Sequence, residues 1–319
     1  MKSVIKNRLV LPVILCLVVI VGIIIPSVFT PDVGAGEPDI VSTVIGGLPV
    51  AMGLPATQIT SAMYLVPDTE AYDPYAISIA IDDLHVMMSS PVTLINATAY
   101  VPIYDFSIAM GAESIYNRGY YAVVTAPGLR VYATAGNPYI VANGRYLHVP
   151  HLNREIDGML HVPIRPLAKA FGASVRWLYD IRGVTVTNTG VPIESGSSFY
   201  DETDLFWMSR IISAEARGES LKGQIAVGNV VMNRTRSPMY PDTVRGVIFD
   251  RRHGIQFTPA HSGAINRAPT QSSVIAAKLA LDGADVIGDS LFFSSTSIRC
   301  WASRNRPFAT TIGNHNFFG

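Results

Sequence analysis

The chain has 319 residues, 49% hydrophobic and 15% charged, with 24 Lys+Arg balanced by 24 Asp+Glu. This length holds two domains of about 100–200 residues plus connections, and a formal net charge of zero gives no electrostatic argument for nucleic acid, which is discounted as a partner. Of the two cysteines, Cys16 lies in an N-terminal apolar run and Cys300 near the other end, so neither a disulfide framework nor a Cys/His zinc site is expected, and no cofactor is called for.

Residues 1–30 begin with Lys2, Lys6 and Arg8, followed by LVLPVILCLVVIVGIII and Pro26. A basic start before an uncharged apolar run directs the chain to a membrane with the basic end inside, which puts the remainder outside the cytoplasm. The run is long for a signal peptide and slightly short for a spanning helix, so cleavage after Val33 and Ala35 and retention as a membrane anchor both stay open. Residues 31–76, low in charge and rich in Pro, Gly, Ala and Thr, are expected to form a spacer.

From 77 to 188 the chain repeats itself. Val101, Pro102, Ile103, Ala109, Gly111, Ala112 and Val123 recur as Val162, Pro163, Ile164, Ala170, Gly172, Ala173 and Val184, every pair 61 residues apart, which indicates a duplicated unit. Each unit predicts a strand or hairpin, then VPI leading into an amphipathic helix, a glycine stop and a closing strand, so that two small α/β units pack as one domain. The runs YIVANGRYLHV, MLHVPIRPLAKAFGASVRW and GVTVTN resemble the repeat named after the N-terminal domain of copper amine oxidase. The resemblance is closer in the second unit, since the first departs from the usual arginine at Tyr104, and it implies an accessory role such as wall attachment. His148, His151 and His161 lack the paired spacing of a copper site and are expected to be surface or strand histidines. Tyr120, Tyr121 and Trp177 are assigned to core packing rather than to sugar stacking.

Residues 189–202 form a Gly/Ser/Pro-rich linker ahead of a domain at 203–319. The stretch 205–219, LFWMSRIISAEARGE, predicts a helix with Met208, Ile211, Ile212 and Glu215 on one face and Ser209, Arg210 and Ser213 on the solvated side, ending at Gly218 in a left-handed conformation. A carboxyl held against apolar side chains ionises less readily, as a general acid near neutral pH requires. The competing reading is that Glu215 pairs with Arg217 or another cation and only fixes the packing. Ser220 is expected to cap a second helix, LKGQIAVGNVVMNRT, in which Gly223 and Gly228 admit a close neighbour. Its amides Gln224 and Asn233 need partners, either backbone or a sugar's hydroxyl and acetamido groups.

Further helices are expected at about 241–249 and 270–283, separated by an irregular stretch, HGIQFTPAHSGAIN. Phe292, Phe293, Trp301, Phe317 and Phe318 crowd the C-terminus, some closing the core and others available to sugar faces. Cys300 is expected to be a small buried hydrophobe.

AEARGE, GQIAVGNVVMNR, GVIF, QFTP, LFFSS, Trp301 and TIGNHNFF resemble, in order and spacing, the SleB/CwlJ cell wall hydrolase family over essentially all of 203–318. The resemblance implies an α+β multidomain protein whose C-terminal catalytic domain is mostly helical and lysozyme-like. It further implies cleavage of the β-1,4 bond between N-acetylmuramic acid and N-acetylglucosamine by lytic transglycosylation, with Glu215 as the acid, in spore cortex or another wall. Peptidoglycan glycan strands are then the partner. Glu219, Gln224, Asn233, Gln256, Phe257, Trp301, His315 and Phe317 are expected to shape the groove, with Glu219, exposed beyond Gly218, as the rival carboxylate and a satisfied structural histidine as the alternative role of His315. A non-catalytic wall-binding scaffold and a hydrolytic muramidase or amidase remain the alternatives. Zinc amidases need a His/carboxylate cluster, which the sequence does not offer.

Overall fold

The structure, a computed structural model, describes residues 77–252 and 254–319, all within one compact unit. The signal or anchor segment, the cleavage positions and the spacer expected over 1–76 lie outside the described residues.

The first unit runs β1 (Ser78–Ile81), β2 (Leu84–His85), β3 (Thr93–Ile95), β4 (Thr98–Pro102), α1 (Ile103–Ala109), β5 (Ser114–Asn117) and β6 (Tyr121–Ala126). After β7 (Leu129–Thr134) the second follows as β8 (Tyr139–Ala142), β9 (Arg145–His148), β10 (Arg154–Ile156), β11 (Met159–Pro163), α2 (Ile164–Ala170), β12 (Ser174–Leu178) and β13 (Gly183–Thr187). The two VPI strands pair antiparallel with Val101 opposite Val162, so equivalent residues meet across a local two-fold. Each closing hairpin joins the other unit's opening hairpin. β13 pairs parallel with β1, whereas β7 sits between β6 and β8 to make the five-stranded sheet β5-β6-β7-β8-β9.

Pro102 and Pro163 end their strands with φ near −57° and −58°, preset for the helices that follow. Those helices bury Ile103 and Phe106, or Ile164, Leu167 and Ala168, and Phe106 meets Phe171 edge-on at 6.4 Å. Gly172, at φ +75°, takes the expected left-handed stop, and a Cβ there would run into the Val191 carbonyl oxygen. The repeat loses its register beyond the helices. Val184 is 2% exposed, but Val123 faces outward and Ala122 and Val124 are the buried residues of β6. A one-residue slip turns a strand's side chains to the opposite face.

The C-terminal part contains α3 (Gly196–Phe199), α4 (Glu202–Ala216), α5 (Leu221–Arg236), α6 (Val244–Ile248), α7 (Thr258–Ser262), α8 (Gln271–Leu281) and α9 (Trp301–Asn305). The sequence expectation of a mostly helical domain needs one addition, a three-stranded antiparallel sheet of β14 (Phe292–Ser295), β16 (His315–Phe318) and β15 (Phe308–Ile312), in that order. Side chains of Asp201, Ser220, Thr243 and Thr270 accept from backbone N–H groups at the starts of α4, α5, α6 and α8. At Gly228 on α5 a Cβ would lie 2.9 Å from Ala280 Cβ on α8 and 3.1 Å from Ile212 Cδ1 on α4, so this glycine sets the three-helix core. Gly223 does not serve a neighbouring helix, since its near contact is Glu219 Cβ at 2.9 Å.

The linker is packed rather than loose. Asp282, its side chain 2% exposed, accepts from Arg145 Nε at 2.8 Å and Nη2 at 3.0 Å and from Lys169 Nζ at 2.7 Å. Tyr200 of the linker donates to the same carboxylate at 3.5 Å, and the Arg145 guanidinium lies 3.3 Å from the centre of the Phe199 ring. The second repeat, the linker and α8 are thus joined through one buried charge cluster.

Candidate active site

Glu215 lies in the last turn of α4, on the face formed by Met208, Ile211 and Ile212, each fully buried. The residue keeps an edge open to solvent, and no hydrogen bond or ion pair to its carboxylate occurs among the described residues. Burial against apolar atoms is the cause that pushes its pKa up to about 7. Arg217 is exposed and is not its partner. The helix ends at Ala216 with Arg217 still right-handed, and the chain turns through a Glu219 N–H bond to the Ala216 carbonyl at 2.9 Å. Gly218 therefore does not adopt the expected left-handed stop, because this tight turn needs none.

The solvated side of α4 is narrower than the sequence suggests. Ser209 and Ser213 are buried, their hydroxyls bonded to the Phe206 carbonyl and the Thr270 N–H. A cavity of about 70 Å³ between Arg210, Arg217 and Arg267 lies on the far side of the helix from Glu215, and another of about 740 Å³ lies between the duplicated region and residues 282–285. Neither reaches Glu215.

Glu219 differs from Glu215. Its Oε1 accepts from Asn314 Nδ2 at 2.9 Å and its Oε2 from Asn314 N at 3.2 Å. These bonds tie the loop after Glu215 to the two-residue turn of the β15–β16 hairpin, where Gly313 has φ +57° and a Cβ would collide with Glu219 Oε2. His315 follows, 5.3 Å from Phe293 and 6.4 Å from Phe317 by ring centres, with Nδ1 buried and unpaired. Burial lowers its pKa, opposed by the Glu219 charge. The structure thus brings Glu219 and His315 together beside the hairpin.

Several other expected groove residues are taken up by the fold. Gln224, 2% exposed, donates to the Glu219 carbonyl at 3.0 Å and accepts from Ser273 Oγ at 2.9 Å, which uses both ends of the amide. Asn233 donates to the Gly288 and Ser290 carbonyls at 2.6 and 3.0 Å. Phe257 and Phe317 are fully buried and pack around Phe293, so apolar burial outweighs any groove role for their rings. Gln256 is partly exposed and donates to the Gly254 carbonyl at 3.2 Å. Trp301 is 59% exposed, with Phe292 at 5.8 Å and the Arg306 guanidinium at 5.4 Å.

Cys300 is not the buried hydrophobe expected. It caps α9, and N–H and hydroxyl donors lower its thiol pKa against the opposing effect of burial. His161, expected at the surface or on a strand, lies on β11 fully buried between Ser90 Oγ at 3.2 Å and the Met159 carbonyl at 3.1 Å. Asn314 was not foreseen as a partner of Glu219, although its Gly-Asn dipeptide is a hairpin-turn signal.

Residues 218–318 match the family model described as Cell Wall Hydrolase, a range that begins just after Glu215. The chain is 36% identical over 132 residues to a spore cortex-lytic enzyme of Oceanobacillus iheyensis, covering 40% of this chain and 46% of that protein. It is 34% identical over 134 residues to one of Bacillus cereus, covering 41% and 48%. The chain spans about half the length of these curated relatives. It is also 32% identical to the catalytic domain of the germination-specific lytic transglycosylase SleB from Bacillus anthracis, over 40% of this chain and 100% of that one, with a TM-score of 0.35.

Proposed function

Because its C-terminal domain belongs to the cell wall hydrolase family, of the SleB/CwlJ type, we propose that the chain acts outside the cytoplasm as a lytic transglycosylase. Its substrate is peptidoglycan, including the spore cortex named for its relatives, and its fold is a lysozyme-like domain completed by the hairpin sheet. The observation that carries this reading is the Glu215 carboxyl, free of partners among the described residues and with its pKa pushed up to about 7.

Protonated Glu215 donates its proton to the glycosidic oxygen as the bond from C1 of N-acetylmuramic acid breaks. The resulting carboxylate takes the proton of the muramic 6-hydroxyl, whose oxygen closes on C1 to give an anhydro sugar, and the acid is regenerated. A two-carboxylate hydrolase needs a second free carboxylate, but Glu219 is held by Asn314. In this scheme Glu219 and His315 shape the groove wall, and exposed Trp301 offers a ring to a sugar face.

The test is mass spectrometry of fragments released from purified peptidoglycan by the full chain and by Glu215→Gln. Anhydromuramic ends that vanish in the variant are expected. Reducing muramic ends would instead make the enzyme a muramidase, and full activity in the variant would remove Glu215 from the chemistry.

A further inference from the structure

The outward face of the five-stranded sheet carries a row that no part of the proposed chemistry uses. Register places Tyr116, Val123, Tyr132, Val141 and Tyr146 side by side across β5 to β9. Tyr116 is 53% and Tyr132 37% exposed, and neighbouring Tyr120, expected in the core, is 59% exposed. The two row tyrosines are two strands apart, hence about 9.5 Å, of the order of one disaccharide along a β-1,4-linked chain. Arg118 donates to the Tyr116 hydroxyl at 2.8 Å, and the Arg118 and Arg130 guanidiniums lie 5.4 Å from the Tyr116 and Tyr132 ring centres. No strand residue turned to this face is acidic. The row ends at Tyr146, where Lys278 of α8 lies 5.1 Å from the ring centre, so the exposed part abuts the hydrolase domain.

We propose that this face is a second glycan-binding surface, separate from Glu215, on which Tyr116 and Tyr132 stack against sugars of a peptidoglycan strand while Arg118 and Arg130 pair with its muramyl or stem-peptide carboxylates. The identity of the glycan rests on the proposed function. The surface itself rests on two exposed rings about one disaccharide apart, two arginines on a face whose strand residues include no acid, and continuity with the hydrolase domain. It arises because the slip between the repeats turns Val123 and Tyr116 outward. Its effect is to hold insoluble wall beside the enzyme.

The full chain carrying Glu215→Gln is co-sedimented with purified insoluble peptidoglycan, alone and with Tyr116→Ala plus Tyr132→Ala, with Arg118→Glu plus Arg130→Glu, or with Tyr179→Ala off this face. The tyrosine pair is expected to weaken binding about tenfold or more, the arginine pair to weaken it and flatten its salt dependence, and Tyr179→Ala to leave it within about twofold. In the chain that retains Glu215, the tyrosine pair is expected to leave turnover of short soluble glycan fragments unchanged. Unchanged binding, equal weakening by Tyr179→Ala, or an equal loss on soluble fragments would each overturn the proposal. Co-sedimentation needs no turnover, so an inactive chain would refute the proposed function and leave this readout standing.

Discussion

Glu215 and Glu219 stand four residues apart and have opposite surroundings. Apolar packing raises the pKa of the first, whereas the second is fixed by two hydrogen bonds from Asn314. A general acid works only while protonated, so activity is expected to fall as pH rises through about 7, with the limb read from pH–rate profiles. Stability follows the same proton. The folded pKa of about 7 exceeds the ordinary value of 4.5, so the protonated acid's contribution is complete below about pH 4.5 and is lost as pH rises through 7. Glu215→Gln, uncharged at every pH, is therefore expected to be inactive yet more stable than the parent at pH 8. Allowing for the partly open side chain, the gain is on the order of 2 kcal/mol, with near equality at pH 4.5, as denaturant titration at the two pH values would show. Glu219→Ala is expected to cost about 1–2 kcal/mol and to lower turnover without moving the pH limb. A shifted limb would return Glu219 to the chemistry. Glu215's place on an apolar helical face was legible because helical spacing alone dictates it. Glu219's role was not, since its partner lies 95 residues away.

Helices α4, α5, α6 and α8 and the Ser220 cap followed from local signals, whereas the caps at Asp201, Thr243 and Thr270 and the short helices α7 and α9 did not, and the structure moves the ends of α4, α6 and α8 by a few residues. Gly228 is where sequence and packing agree most directly. Gly228→Ala forces a Cβ against Ala280 and Ile212 and is expected to cost about 1–3 kcal/mol, read as a lower urea midpoint with an unchanged slope. Gly313→Ala would meet both an unfavourable positive φ and the Glu219 carboxylate, so its loss should be smaller in a Glu219→Ala background, a coupling that a double-mutant cycle measures. The repeat shows the opposite case. An ungapped interval of 61 residues located both units, yet Val123 and Val184 face opposite ways, because face is set by pairing and not by residue type.

Across the molecule, the boundary near residue 190 marks a change of architecture, but the two sides are not loosely strung. Arg145, Lys169, Tyr200 and Asp282 converge from β9, α2, the linker and the end of α8. Asp282→Asn leaves the buried Arg145 with only the exposed Glu194, 3.8 Å away, as counter-charge and is expected to cost about 3 kcal/mol. The measurable consequence is thermal unfolding that separates into two steps, one for the duplicated region and one for the hydrolase domain; a single transition at the parental temperature would show that the cluster does not couple them. By itself the sequence determined the 61-residue interval of the repeated motifs, the main helices and the Ser220 cap, the family of the C-terminal domain and the place of Glu215 on an apolar face, since each depends on residues close in the chain or on a contiguous motif. Tertiary structure alone decided that Gln224, Phe257 and Phe317 serve the core, that Asn314 holds Glu219, that the tyrosine row faces outward and that Asp282 binds the two halves. Those outcomes depend on which distant segments share a partner, and the free energy of burial or pairing is fixed only when the segments meet.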